Sequence, residues 1–290
     1  MKGLKVVVLA KQVPDTRNVG KDAMKADGTV NRGALPAIFN PEDLNALEQA
    51  LRIKDRIPGT TVTILTMGPG RAAEIIREGM YRGADDGILL TDRKFAGSDT
   101  LATSYAISLA VKKINPDIVI AGRQAIDGDT AQVGPQVAQK MDIPQITYAE
   151  EVLDITTEKI VVKRRLDNGV ETVEGPLPAV ITVNASAPDC RTRHAKYTMK
   201  YKHARTTTEL QEEDKDYTEM HKDKPYLSIP EWGIEDVKAD VAELGLSGSP
   251  TKVKKIENVV FQAKESKVLS EADAEIEDLM KTLIENHTIG

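Results

Sequence analysis

The chain has 290 residues, 40% of them hydrophobic and 29% charged, with a formal net charge of −6. That length buries a core without covalent staples, no apolar run approaches the ~20 residues a membrane helix needs, and the acidic balance weighs against a nucleic-acid partner. The single cysteine, Cys190, excludes an internal disulfide and a thiolate cluster, and His194, His203, His221 and His287 form no helix-spaced pair, so no metal is expected and a reducing, cytoplasmic setting fits.

Residues 1 to about 148 alternate short β-branched runs with amphipathic stretches. Strands are predicted at Lys5–Ala10, Thr61–Thr66, Asp86–Leu90, Asp117–Ala121 and Gln145–Tyr148, with helices near Pro41–Arg56, Arg71–Arg82, Asp99–Ile114 and Ala131–Met141. The run Val6–Ala10 is shorter than a signal-peptide core and reads as a first strand of a chain that stays inside the cell. Asn40 ahead of Pro41, with Glu42 and Asp43 behind it, marks one helix start by an N-cap and a first-turn proline; Asp99, between Ser98 and Thr100, marks another. The alternation predicts an α/β fold with a doubly wound, mostly parallel sheet, a Rossmann-like nucleotide-binding layer.

In such a sheet ligands bind beyond the carboxyl ends of the strands, so Lys11–Asp15, Thr66–Arg71, Thr91–Thr100 and Arg123–Gln136 share one rim. The last of these is the most informative. An apolar strand stops at Gly122, a polar loop of small residues follows, and a helix then begins, which leaves free backbone N–H groups where a phosphate docks. Gly128 and Ala131 leave room for backbone to approach a pyrophosphate. Asp127 and Asp129 read as loop caps or ribose acceptors, because bare carboxylates repel phosphate, and Arg123 is placed to offset them. Met67-Gly68-Pro69-Gly70 reads as a tight turn into a helix, and the stretch from Phe95 to Thr100 offers an aromatic ring, a flexible Gly97 and hydroxyl donors. Neither a Gly-x-Ser-x-Gly elbow nor a Gly-x-Gly-x-x-Gly after the first strand is present, which excludes the hydrolase and dehydrogenase readings.

After residue 150 short strands follow one another without helices, at Val152–Ile155, Lys159–Leu166, Val170–Glu174 and Ala179–Val183. Asn168-Gly169 supplies the positive φ of a type I′ hairpin turn, so an antiparallel extension is expected, with Ala179–Val183 returning to the main sheet. The nucleotide-binding domain with its hairpin extension then spans 1–187. Residues 188–290 read as a C-terminal arm that packs on a partner subunit: 188–228 is charged with little to bury, and the basic stretch Arg191–Arg205 reads as solvated or subunit-facing. Val253–Phe261 looks extended, and Ser270 is placed to cap a final helix, Glu271–Asn286, with Ile276, Leu279, Met280, Leu283 and Ile284 on one stripe.

Residues 162–182, VKRRLDNGVETVEGPLPAVIT, resemble the signature of electron transfer flavoprotein beta subunits, departing mainly at Asn168, where the family usually carries Gly or an acidic residue. Lys11–Asp15, Asn40-Pro41, Gly83-Ala-Asp85 and Gln124–Asp127 resemble further landmarks in order. The resemblance implies a heterodimer with an alpha subunit that holds its own FAD. It also implies a nucleotide on the rim of this chain: AMP in ordinary members, a complete FAD in electron-bifurcating ones.

Lys11–Thr16, Thr91–Tyr105 and Gly122–Gln136 look like the bifurcating branch, which favours FAD, with AMP as the alternative and a universal-stress-type adenine nucleotide module as a second one. The residues so implied as cofactor-binding are Leu9, and Asn40 and Met67 near the adenine and ribose. Asp127, Gly128, Asp129, Thr130, Ala131, Gln132, Val133, Gly134, Pro135 and Gln136 are implied at the phosphates, and Asp99, Thr100 and Thr103 toward the ribityl chain or ring. No catalytic acid or base is implied. The resemblance further implies NADH as electron donor, ferredoxin or flavodoxin as low-potential acceptor, and an acyl-CoA dehydrogenase as the second partner.

Overall fold

The computed structural model describes residues 3–15, 36–212, 217–251, 268–270 and 272–289. β1 (Lys5–Leu9) leads through β2 (Gln12–Pro14) and β3 (Ala37–Phe39) into α1 (Pro41–Arg56), followed by β4 (Thr61–Met67), α2 (Ala73–Arg82), β5 (Asp86–Leu90), α3 (Thr100–Ile114), β6 (Ile118–Gly122) and α4 (Val133–Met141). Then come β7 (Gln145–Ile155), β8 (Lys159–Leu166), β9 (Gly169–Pro176) and β10 (Ala179–Val183). Short elements complete this part: α5 (Ala195–Tyr201), β11 (Arg205–Thr206), α6 (Thr207–Glu212), α7 (Thr218–Asp223), β12 (Ser228–Ile229), β13 (Glu231–Trp232) and α8 (Ile234–Val237). The last helix is α9 (Asp273–Glu285).

Among the described residues one sheet has nine strands in the order β13-β5-β4-β1-β6-β10-β7-β8-β9. It is parallel from β13 to β7 and antiparallel through β8 and β9, so the doubly wound layer and its antiparallel extension are both present. The strands of the layer are apolar on both faces because helices cover both. Val6 and Val8 turn to the side of α1 and α2, while Val7 and Leu9 turn to the side of α3 and α4; β6 divides Ile118 and Ile120 from Val119 and Ala121 in the same way. The chain winds outward from β1 to β4 and β5, then returns to lay β6 on the other side of β1. The point where the winding reverses therefore lies between the ends of β1 and β6.

Several details differ from expectation. β7 is one strand of 11 residues that absorbs Val152–Ile155, its register with β8 shifting twice. β2 and β3, each three residues long, pair antiparallel beside the rim, too short to show a period. β13 adds a parallel strand to the β5 edge. In the β8–β9 hairpin the turn residues are Asp167 and Asn168, neither at positive φ; Gly169 alone takes the unusual backbone, φ 150°, as the first residue of β9. Ser270 does not cap the last helix, whose N-cap is Ala272, without a side-chain bond. The expected extended run Val253–Phe261 lies outside the described residues.

Contacts divide the chain into Met1–Lys254 and Lys255–Gly290. Residues 188–212 and 217–251, read from sequence as the first part of the arm, belong with the layer by their contacts. Asn45 on α1 donates to the carbonyls of Ala187 and Pro188 at 3.0 and 2.9 Å. Arg191 pairs with Glu48 on α1 and Arg193 with Glu78 on α2, while Tyr201, Leu227 and Ile229 are buried in the core on that face. The basic stretch thus answers acids of the chain's own helices at these two positions. In the second unit, α9 exposes Ile276, Leu279, Met280 and Ile284 and leaves Leu283 half-buried.

The extension is fastened by Glu150 on β7. Arg165 on β8 pairs with it, and Ser186 and Lys163 add to the set, which together hold its carboxyl down to about 2. A carboxylate depressed in the folded state stabilises it above the ordinary value of 4.5 and loses that contribution as pH falls toward 2. Glu150→Gln is expected to lower the urea midpoint at pH 7, with the gap to the parent closing steadily between pH 4.5 and 2, as followed by far-UV circular dichroism.

Candidate functional site

The first turn of α1 stands against the reversal point of the sheet and bonds to both strand ends. Asp43 Oδ2 accepts from the N–H of Lys11, just after β1, at 2.8 Å, and Oδ1 accepts from the N–H of Gly122, the last residue of β6, at 3.1 Å. Glu42 Oε2 accepts from the N–H of Gln124 at 3.1 Å, and its other oxygen meets the Arg123 guanidinium at 3.1 Å. Asn40 heads the helix without a side-chain capping bond. It reaches sideways to the loop, donating to the Gln124 carbonyl at 2.9 Å and accepting from the Ile126 N–H at 3.1 Å. An N-cap expected from the sequence is therefore spent on tertiary contact.

Gly122 lets this happen. A Cβ there would lie 2.4 Å from Asp43 Oδ1 and 2.7 Å from the Glu42 carbonyl carbon, so helix and strand end meet only because the side chain is absent. Burial pushes the Asp43 carboxyl up to about 7, against the lowering effect of the Lys11 amide, Asn40 and the Gly122 amide.

Beyond the clamp, Arg123–Gln132 loops over the rim to α4. The loop acids are both engaged: Lys11 Nζ holds Asp127 at 2.7 and 2.9 Å, and Gln124 Nε2 donates to Asp129 at 2.9 Å. Arg123 does not offset them as expected, since its guanidinium goes to Glu42 and lies over the Tyr148 ring. Asp129 and Ala131 have left-handed backbone, φ 48° and 52°, and so does Tyr148, φ 58°, on β7. Such conformations cost energy in residues with a side chain, most plainly in alanine and tyrosine, and cluster where a loop is shaped for a ligand.

The start of α4 is open. Its N-cap, Gln132, makes no side-chain cap, and the first amides of a helix have no acceptor of their own, which leaves those of Val133 and Gly134; Pro135 has none. Gly134 serves packing as well, since a Cβ there would come within 2.7 Å of Thr182 on β10. Thr100, first residue of α3, donates to Gln132 Oε1 at 2.9 Å, and Gln136 Nε2 reaches Thr100 Oγ1 at 3.5 Å, which joins the two helix starts. Three buried side-chain atoms among the described residues have no hydrogen-bond partner: Gln136 Oε1 and Thr66 Oγ1 here, and His221 Nδ1 elsewhere. An uncapped helix start, left-handed loop backbone and orphaned polar atoms on one rim fit the phosphates and hydroxyls of a nucleotide.

The remaining predicted site residues divide into two groups. Leu9 ends β1 and is buried, and Met67 ends β4 half-buried, both on the rim. Asp99 is committed elsewhere: Oδ1 caps α3 through the amides of Leu101 and Ala102, and Oδ2 accepts from Thr251. Phe95, read as an aromatic lining, is buried in the core under α3, and Gly97, φ 78°, is packed by Leu246. Thr103 is half-buried one turn into α3. A cleft of about 620 Å³ between β3, α1, α2 and Arg193 is lined by none of the predicted site residues and lies on helix flanks. Sequence reasoning missed Glu42, Asp43 and Lys11 as loop holders; two first-turn acids beside a glycine-ended strand were the available signal.

Residues 27–211 match the family described as the electron transfer flavoprotein domain. The chain is similar to the electron transfer flavoprotein subunit beta of Megasphaera elsdenii, 42% identical over 260 residues that cover 87% of each chain. It is also similar to the caffeyl-CoA reductase-Etf complex subunit CarD of Acetobacterium woodii, 41% identical over 86% of each chain. The acryloyl-CoA reductase electron transfer subunit gamma of Anaerotignum propionicum is 50% identical over 62% of this chain and 67% of its own.

Gly122→Ala, by forcing helix from strand end, is expected to cost about 1–3 kcal/mol in chemical denaturation. Gly128→Ala, whose Cβ would meet nothing within 4 Å, is expected to stay within about 0.5 kcal/mol of the parent.

Proposed function

The chain belongs to the electron transfer flavoprotein family, and from that premise we propose that it is a beta subunit that binds FAD at the reversal point of its sheet. With an alpha subunit it takes electrons from NADH and divides them between ferredoxin or flavodoxin and an acyl-CoA dehydrogenase. The observation that carries the reading is the Arg123–Gln136 segment, with its left-handed turns and uncapped α4 start beside the strand ends. Two relatives, a caffeyl-CoA reductase-Etf complex subunit and an acryloyl-CoA reductase electron transfer subunit, support a CoA-thioester enzyme as one partner. A stress-type nucleotide module does not account for a family match over 27–211.

A flavin supplies, when bound, the acceptance of an electron pair and the release of single electrons; the chain supplies position and electrostatics. The amides of Val133 and Gly134 and the preceding loop hold the pyrophosphate. Lys11 and Gln124 engage the loop acids Asp127 and Asp129, so that these do not confront the phosphates as bare charges. Leu9 and Met67 flank the adenine side, and Asn40 fixes the loop from below. Thr100, Thr103 and Gln136 offer polar groups toward the ribityl chain, while Asp99 acts through the α3 start that it caps.

One observation favours the shorter nucleotide, AMP. Asp99, read as a contact for the far end of FAD, and Phe95, read as an aromatic on the rim, are occupied in the fold itself. Flavin and AMP quantitation on the purified heterodimer separates the two: two FAD and no AMP, with bleaching of both on NADH addition, is the expected result. One FAD and one AMP overturns the FAD reading in favour of AMP; neither nucleotide on this chain overturns both.

A further inference from the structure

The clamp at the reversal point has a feature that simple packing does not require: it is built on a carboxylate with a backbone amide on each oxygen, one from just past β1 and one from the last residue of β6. Lys11 follows β1 and Gly122 ends β6, its parallel neighbour, and Asp43 joins the two from a third element, α1. Both amides lead directly into groups of the proposed nucleotide site. Lys11 carries the ammonium that holds Asp127, and Gly122 opens the loop whose next turns Glu42 and Asn40 fix. A shift of either strand end moves the loop.

We propose that Asp43 is a positioning residue for nucleotide binding, its ionised carboxylate setting the loop from Arg123 to Gln132 in its binding geometry by accepting from both strand ends at once. This rests on the reading of that loop as a nucleotide site. An ionised carboxylate is acceptor-only and satisfies two donors with full charge, whereas a protonated one carries an O–H on one oxygen, which then accepts only weakly. Burial raises this carboxyl to about 7, so the two forms exchange near neutral pH.

The charged groups around it are Glu42 on its own helix, which raises it further, and Lys11, Arg123 and Asp127 from the β1 end and the loop; these last are paired with one another or with Glu42. Asp43→Asn keeps the shape and is neutral at every pH, with an acceptor oxygen on one side and a donor-only NH2 on the other. Because the folded value exceeds the ordinary 3.8, ionising Asp43 costs stability as pH rises from near 4 to 7, and the asparagine removes that cost. The asparagine also leaves one strand-end amide without its acceptor, so the diagnostic readout is the pH profile of nucleotide affinity, which a merely structural role does not change.

The test is FAD titration of the flavin-depleted heterodimer from pH 6 to 8, followed by flavin fluorescence, alongside thermal melting. The pyrophosphate of FAD keeps its charge over this range. Wild type is expected to bind more weakly at pH 6 than at pH 8. Asp43→Asn is expected to bind about 10-fold more weakly than wild type at pH 8, the loss of one hydrogen bond, with no slope in pH. Asp43→Ser, smaller and neutral, carries the same expectation where the asparagine folds poorly. Variants that match wild type in affinity and pH profile overturn the positioning role while leaving the nucleotide site intact. A wild-type heterodimer that takes up no FAD beyond the alpha-subunit flavin overturns the FAD reading, and this proposal with it.

Discussion

The structure turns on the hydrogen bonds from the first turn of α1 to the ends of β1 and β6. Parallel strands at a reversal point leave amides at their carboxyl ends with no neighbour strand to take them, and a buried amide without an acceptor is costly. Asp43 supplies the acceptors for two, Glu42 for a third and Asn40 for a fourth. The arrangement tolerates a buried acid because each oxygen has a donor and Asn40 adds to the set. Gly122 is its steric condition.

From that clamp the rest of the rim follows. The loop leaves β6 in a fixed direction, its acids find Lys11 and Gln124, and the start of α4 comes to lie beside that of α3 through Thr100, Gln132 and Gln136. Side chains thus hold the loop, and what remains open toward a ligand is mostly backbone. This division suits a phosphate-binding site, where amides preset in direction need no rearrangement on binding. It also explains why so many polar side chains on the rim already have partners inside the protein.

Much of this was legible in the sequence. The layer, its strand and helix order, the hairpin extension and the loop after Gly122 were all marked by periodicity and by Gly, Pro and Asn at turns. The contacts between distant segments were not. Glu42 and Asp43 read as ordinary first-turn acids near a helix dipole, because nothing local records that Gly122, 79 residues on, comes to rest against them. Phe95 read as a ligand surface and proved to be core, since an aromatic beside a glycine has the same local appearance in either role. Residues 188–251 read as an arm for want of apolar periodicity. The described residues among them are fastened instead by ion pairs such as Arg191 with Glu48 and by a few scattered apolar side chains, which leave no period to find.

The central claim is that the nucleotide's phosphates rest on the segment between β6 and α4. Amide hydrogen exchange on the heterodimer, compared with and without FAD, tests it most directly. New protection is expected at Thr130–Gly134, with Gly122, Gln124 and Ile126 already protected in both states by the clamp. Protection that appears instead along the cleft between α1 and α2, around Leu44 and Tyr81, with Thr130–Gly134 unchanged, contradicts it.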